Sequence, residues 1–236
     1  MNISINSFLS MSCVDGEGVR SVFFVQGCPL RCPYCHNPET QTFETNQSWS
    51  VNDVIKTISK YSPYYGEYGG ITISGGEPLY QIDAVTEIFR RCKEELGVST
   101  CLETSGVFPN RSESKLDELL ALTDHVYCDY KFMVQGKTPT LNHKWSAKTD
   151  DFLKRCLPEK TIVRTVVVPD INNNKEYITA LATKVRQIGN FKIELLPFKK
   201  FCVTKYKELH RRFVFEYARE ATKTELWSLQ NLVDTY

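Results

Sequence analysis

Ser21-Val-Phe-Phe-Val-Gln26 runs directly into Gly27-Cys28-Pro-Leu-Arg-Cys32-Pro-Tyr-Cys35-His36-Asn37-Pro38. The first stretch is a short apolar run of β-branched and aromatic residues closed by a glycine, and it reads as a buried strand. Pro29, Pro33 and Pro38 make the second stretch a loop, so Cys28, Cys32 and Cys35 stand together on irregular chain at the end of a strand rather than in a packed element.

Three thiolates on one loop are soft donors suited to zinc or to an iron–sulfur cluster, and a [4Fe–4S] cube normally takes four. One iron is then open to another molecule. A structural zinc centre would be closed by a fourth ligand, but His36 directly follows Cys35 and is badly placed to reach the same ion. Disulfide pairing fits no better: three clustered thiols cannot all pair, the total of nine cysteines is odd, and no signal-peptide pattern precedes them. A reduced, cytoplasmic protein is expected.

Outward from this loop, strand-like and helix-like stretches alternate. Gly70–Ser74, Ser99–Thr104, His125–Asp129, Thr161–Val168 and Phe191–Leu196 read as further strands. Ser50-Val-Asn-Asp53 opens a helix reaching about Tyr61, and Ile82, Val85, Ile88, Phe89, Cys92 and Leu96 recur at helical spacing until Gly97 stops the run. Helical patterns also cover Leu116–Leu122, Asp150–Cys156 and Tyr177–Ile188. Thr222-Lys-Thr-Glu225 is a capping box for a closing helix carrying Leu226, Leu229, Leu232 and Val233. The alternation predicts an α/β fold with a parallel sheet, one domain over residues 1–236.

Composition permits such a core and narrows the partners. The chain has 236 residues and a formal net charge of +1 with its basic residues dispersed, so electrostatics calls for no nucleic acid. No apolar run approaches the roughly 18 residues of a membrane span. Without repeats or linkers, a monomeric compact unit is expected.

In such sheets chemistry collects at the carboxyl ends of the strands, and the polar residues fall there. The strands run into the cysteine loop, into Gly75-Gly76-Glu77-Pro78, into Glu103-Thr104, into Asp129-Tyr-Lys131 and into Pro197-Phe-Lys-Lys200. Consecutive glycines make a tight turn or a close backbone approach, and Glu77 beside them can accept from an ammonium. Asp129 and Lys131, two apart on extended chain, point the same way, as site residues or as an ordinary ion pair. Arg164 lies inside an apolar strand and needs a carboxylate partner, from a ligand or a Glu. Cys13, Cys92, Cys101, Cys128, Cys156 and Cys202 lack cluster spacing and read as simple thiols. None of the other histidines, His125, His143 and His210, stands in a recognisable constellation.

Cys28-x3-Cys32-x2-Cys35 followed by Gly75-Gly76-Glu77 resembles the radical S-adenosylmethionine (SAM) superfamily. Val14–Arg20, Gln26–Asn37, Ser99–Gly106, Val163–Pro169 and Lys192–Pro197 are similar to stretches of its glycyl-radical enzyme activases, the family that serves pyruvate formate-lyase. The resemblance implies a partial (β/α)6 barrel and one [4Fe–4S] cluster on Cys28, Cys32 and Cys35, with SAM chelating the fourth iron. It places Gly75, Gly76 and Glu77 at the SAM amino group, Thr104, Asp129, Lys131 and Arg164 at its carboxylate, ribose and neighbouring groups, and Tyr34, Asn37 and Val166 at the adenine. Asp15 and His36 would meet the partner's peptide. Asp129 and the carboxylate of Glu103 would share a monovalent cation.

The chain departs from that family in three places: Glu103 replaces an aspartate, Pro78 replaces a small residue, and Lys199 stands where an adenine-contacting histidine is expected. No second cysteine-rich block interrupts residues 45–70, so no extra ferredoxin domain is implied. The implied activity is anaerobic reductive cleavage of SAM to a 5′-deoxyadenosyl radical that takes hydrogen from a backbone glycine, with an electron donor such as flavodoxin and no acid, base or nucleophile. The implied partner is pyruvate formate-lyase, recognised by a surface that includes Gln135–Lys148 and Phe201–Arg212, both read as irregular. The alternatives are another glycyl-radical enzyme as partner, a small-molecule substrate, or an electron carrier or redox sensor that never cleaves SAM.

Overall fold

The structure is a computed structural model that describes residues 1–131 and 143–236, with the side chains of residues 143 and 144 left aside. It contains two compact units, one of residues 1–29 and 40–127, the other of residues 30–39 and 128–236. All six strands expected from the sequence are present, as β2 (Arg20–Val25), β4 (Gly70–Gly75), β5 (Ser99–Thr104), β6 (His125–Asp129), β7 (Thr161–Val167) and β8 (Lys192–Pro197). Two further strands, β1 (Asn2–Ser12) and β3 (Gln47–Ser50), had no counterpart in the sequence expectations. They are rich in Ser and Asn and are held by antiparallel pairing, β1 on β2 and β3 on β1. Such pairing is a tertiary contact that overrides weak intrinsic strand propensity. Within the first unit the strand order is β3-β1-β2-β4-β5.

In the first unit β2, β4 and β5 run parallel, Val22 facing Thr72 and Thr72 facing Cys101. Their side chains are buried almost throughout, as expected for parallel strands covered on both faces. Helix α1 (Val51–Tyr61) starts at Ser50, whose capping box with Asp53 is formed in both directions, and it buries Val51, Val54, Ile55 and Ile58. Helix α2 (Ile82–Arg91) is shorter than its apolar spacing predicts. From Cys92 to Leu96 the chain widens into a π turn, closed by the Gly97 amide on Cys92 O, with Gly97 left-handed at φ 63°. Helix α3 (Leu116–Ala121) buries Leu116 and Leu119.

The second unit pairs β7 with β8 in parallel, Arg164 facing Glu194. Helix α4 (His143–Leu153) begins earlier and ends sooner than the Asp150–Cys156 pattern suggests. Its end tightens into i→i+3 bonds from Arg155 and Cys156, short of Pro158, whose preceding residue Leu157 is extended as prolines require. Helix α5 (Lys175–Ile188) is capped by Asn174. Phe201–Arg212, expected to be irregular, contains α6 (Val203–Glu208), anchored by the buried Cys202 and Tyr206. The closing helix α7 (Lys223–Asp234) has the predicted Thr222–Glu225 capping box and buries Leu229 and Val233. Its Gln230 accepts from Leu195 N and donates to Ile193 O, both at 2.9 Å, so a side-chain amide covers polar groups along β8. Of the stretch 135–148, residues 135–142 lie outside the described residues. Among the described residues no helix is long and apolar enough to cross a membrane.

Arg20, at the start of β2, is fully buried. Its guanidinium donates to Thr72 Oγ1 at 2.7 Å, Ile71 O at 2.6 Å, Ser99 O at 3.0 Å and Glu17 O at 2.9 Å, tying β2, β4, β5 and the 14–19 loop together. Burial lowers its pKa from the usual guanidinium value. The fork geometry fits diverging oxygens that a single ammonium cannot reach at once. Arg20→Met is therefore expected to cost about 3 kcal/mol in denaturant unfolding, from stranded carbonyls and a lost buried network, with Arg20→Lys recovering less than half.

Candidate iron–sulfur site

In the first unit the site is built backbone against backbone. Gly27 follows β2 at φ 97° and Gly75 ends β4 at φ 102°, both in conformations that favour glycine. Gly76 N donates to Val25 O and Glu77 N to Gly27 O, each at 2.8 Å. A side chain on Gly76 would put its Cβ 2.4 Å from Gly27 O, so the turn after β4 can lie against the residue preceding Cys28 only because position 76 is glycine.

Glu77 is 1% exposed. Its carboxylate accepts from Thr104 Oγ1 at 2.5 Å, Ser105 N at 2.9 Å, Leu79 N at 3.2 Å and the Ser105 hydroxyl. Burial raises its pKa, with the hydroxyls of Ser105 and Thr104 and the two amides pulling the other way. Thr104 and Glu77, read separately from the sequence, thus form one hydrogen-bonded unit, to which Ser105 is an unanticipated third member. Glu103 accepts from Ser74 Oγ at 2.7 Å. Asp15 is held by the Ser12 hydroxyl, and its backbone carbonyl accepts from Thr72 Oγ1 at 2.6 Å.

The second unit carries the other cysteines. Cys32 is buried, and Cys35 N donates to Cys32 O at 3.1 Å, a tight turn between them. Lys131 Nζ lies 3.1 Å from Asp129 Oδ2 and 5.6 Å from the centre of the Tyr34 ring. The two residues at the end of β6 do point the same way. Burial alone would lower the Lys131 pKa, but Asp129, Tyr34 and Cys32 together hold it well above the usual ammonium value. Burial likewise raises the Tyr34 phenol, against the pull of Lys131. Arg164 meets Glu194 on the facing residue of β8, Nε to Oε2 at 2.7 Å. That partner is protein, and the register of β7 against β8 brings it opposite Arg164. Val166 is partly buried against the core cluster of Val168, Phe198 and Tyr206. Lys199 Nζ pairs with Glu220 at 2.7 Å, its carbonyl lies 2.9 Å from His36 Nε2, and Asn37 Oδ1 accepts from Lys205 at 3.0 Å.

The donor set suits an iron–sulfur cluster. Burial pushes the Cys32 thiol up to about 11, with Lys131 acting in the opposite sense. A thiol held neutral by its surroundings becomes a thiolate when a metal cation supplies the compensating charge. Among the described residues no three His, Cys, Asp or Glu side chains stand close enough to hold a metal as they are placed.

Comparison with known proteins agrees with this chemistry. The description of a 4Fe-4S single cluster domain matches residues 14–150. The pyruvate formate-lyase-activating enzyme of Clostridium pasteurianum is 36% identical over 210 residues, spanning 87% of this chain and 86% of that one. The pyruvate formate-lyase 1-activating enzyme of Escherichia coli K12 is 34% identical over 236 residues, spanning 98% and 95%. The chain belongs to the pyruvate formate-lyase-activating enzyme family. As a member it is an iron–sulfur enzyme of the radical SAM activating type. Two solved structures share its fold at low identity. A domain of a pyruvate-formate lyase-activating enzyme from Bacteroides vulgatus matches at TM-score 0.52 and 16% identity, over 71% of this chain and 94% of that one. A radical SAM methyltransferase from Sphaerobacter thermophilus matches at TM-score 0.58 and 12% identity, over 92% and 64%. The α/β fold of radical SAM type read from the activating-enzyme motifs is the fold these structures have.

The raised Cys32 pKa has a definite sign. Below the ordinary thiol value of 9.0 both folded and unfolded chains keep the proton, and its contribution to stability is complete; as pH rises through about 11 that contribution is lost. In metal-free protein at pH 8, alkylation followed by peptide mass mapping is expected to label the exposed Cys13 at least about tenfold faster than Cys32, and unfolding is expected to abolish the difference.

Proposed function

We propose that this protein activates a glycyl-radical enzyme, pyruvate formate-lyase, using SAM and one [4Fe–4S] cluster. The observation that carries the reading is the Cys28-x3-Cys32-x2-Cys35 loop, whose leading Gly27 is joined by backbone hydrogen bonds to the Gly75-Gly76-Glu77 turn. Identity of about one residue in three over nearly the whole chain supports the choice of partner.

Cys28, Cys32 and Cys35 would hold the cluster as three thiolate ligands, one short of the usual four, so that SAM could complete it. When bound, the cluster would supply the one-electron reduction, from a donor such as flavodoxin, by which SAM is cleaved reductively. The work of the side chains is binding and orientation. Glu77 and the Gly75-Gly76 backbone offer acceptors to the SAM ammonium, with Thr104 and Ser105 fixing the carboxylate's orientation. Lys131, steadied by Asp129, and Arg164, steadied by Glu194, present cations to the SAM carboxylate and the groups beside it. Tyr34, Asn37 and Val166 form the adenine side, with Lys199 in place of the family's histidine. Asp15 and His36 face the partner's peptide. No side chain has to act as acid, base or nucleophile; a reactive carbon radical needs a positioned hydrogen and exclusion of water.

The test is anaerobic reconstitution with iron and sulfide, then incubation with reductant, SAM and pyruvate formate-lyase. A glycyl radical is expected by electron paramagnetic resonance together with stoichiometric 5′-deoxyadenosine. SAM cleavage without a glycyl radical would remove this partner and leave another glycyl-radical enzyme or a small molecule. No 5′-deoxyadenosine from a cluster-loaded, reduced protein would return the chain to electron carrier or sensor. Single Cys28→Ala, Cys32→Ala and Cys35→Ala variants are expected to lower activity by at least about a thousandfold, since each removes a cluster ligand.

A further inference from the structure

Within the second unit, the segment from Lys199 to Arg211 converges on one short piece of chain. Lys205 Nζ donates to Asn37 Oδ1 at 3.0 Å and to Glu39 Oε1 at 2.5 Å. Arg211 Nη1 donates to Pro38 O at 3.2 Å, and His36 Nε2 lies 2.9 Å from Lys199 O. Residues 36, 37, 38 and 39 are each held from this one segment, and they are the residues that leave Cys35. Tyr34, on the other side of Cys35, packs against the buried cluster of Phe198, Cys202, Tyr206 and Phe213.

A six-residue helix is too short to persist alone, so α6 exists because Cys202 and Tyr206 anchor it in that cluster. The anchoring delivers Lys205 to its two partners. An ammonium only donates, whereas an asparagine has a carbonyl on one side of its amide plane and an NH2 group on the other. Lys205 therefore decides which way the Asn37 amide is turned: its carbonyl faces α6, and its NH2 faces away. The same ammonium draws in Glu39, whose side chain is 25% exposed, so one cation fixes two residues of the loop's exit.

We infer that Lys205 is a positioning residue for the cysteine loop, setting the orientation of Asn37 and, through Asn37 and Glu39, the backbone that leaves Cys35. The hold on residues 36–39 stands on these contacts alone, whereas its consequence for the cluster rests on the assignment of Cys28, Cys32 and Cys35 proposed above.

The experiment compares wild type, Lys205→Met and Lys205→Arg in the full chain. In metal-free protein, Lys205→Met is expected to speed hydrogen exchange at the amides of Cys35, His36, Asn37 and Glu39 about fivefold, leaving β4 and β5 unchanged. In reconstituted protein it is expected to speed iron loss to a chelator by about the same factor. Lys205→Arg, which keeps a cation on the two oxygens, is expected to restore both to within about twofold. Unchanged exchange at these amides overturns the inference, as does faster exchange with unchanged iron loss or a failure of arginine to rescue. Should Lys205→Met disturb exchange across the unit, Glu39→Gln replaces it with the same two readouts and the same criteria. If wild type takes up no cluster, the cysteine assignment falls by itself, and the exchange comparison alone decides on Lys205.

Discussion

The contact between Gly27 and Gly76 is the constraint on which the site depends. Two loops from neighbouring parallel strands meet there with no side chain between them, and the meeting is stitched by the Glu77 amide on Gly27 O and the Gly76 amide on Val25 O. It fixes where Cys28 leaves the sheet. It also turns Glu77 into the interior, where a carboxylate must find donors, and Thr104, Ser105 and Leu79 provide them. A methyl group at position 76 would push the turn off Gly27 O and disturb all of this at once. The glycines therefore act as a spacing device, and the chemistry of the adjoining residues depends on that spacing.

Charge is treated differently at different depths. Arg20, wholly buried, is solvated by carbonyl and hydroxyl oxygens and works as a structural rivet. Arg164 and Lys131 are each paired with a carboxylate, Glu194 and Asp129, and both pairs remain partly open to solvent. In each pair the cation is the more buried member, and its carboxylate offsets the cost of its desolvation. Lys131 serves a further end. Beside Cys32 it favours the thiolate that burial disfavours, so the cation lowers the cost of deprotonating that thiol.

Much of this was legible along the chain. The strands β2 and β4 announce themselves as near-continuous apolar runs, as parallel strands covered on both faces do, while β6, β7 and β8 alternate buried with partly exposed positions. Both capping boxes, at Ser50–Asp53 and Thr222–Glu225, involve residues only three apart and so depend on local geometry. The strands β1 and β3, by contrast, interleave their apolar residues with Ser, Asn and Gln and are held by their antiparallel ladders. The π turn after α2 and the short helix α6 are likewise set by packing and by chain-end hydrogen bonds. The polar partners divide in the same way: Asp129 and Lys131 are near neighbours and readable, while Ser105 on Glu77 and Lys205 on Asn37 come together only in three dimensions.

By itself, then, the sequence determined the chemistry: which sulfur atoms are available, at what spacing, at the end of which strand, and beside which glycines, since these are set by residue type and short-range order. Tertiary structure alone decided which groups orient that chemistry. Arg164 found Glu194 by strand register, Glu77 found Thr104 and Ser105 across two loops, and Lys205 reached Asn37 across more than 160 residues of chain. Hydrogen bonds and ion pairs act over a few ångströms, so their partners are set by proximity in space, which the order of residues along the chain does not contain.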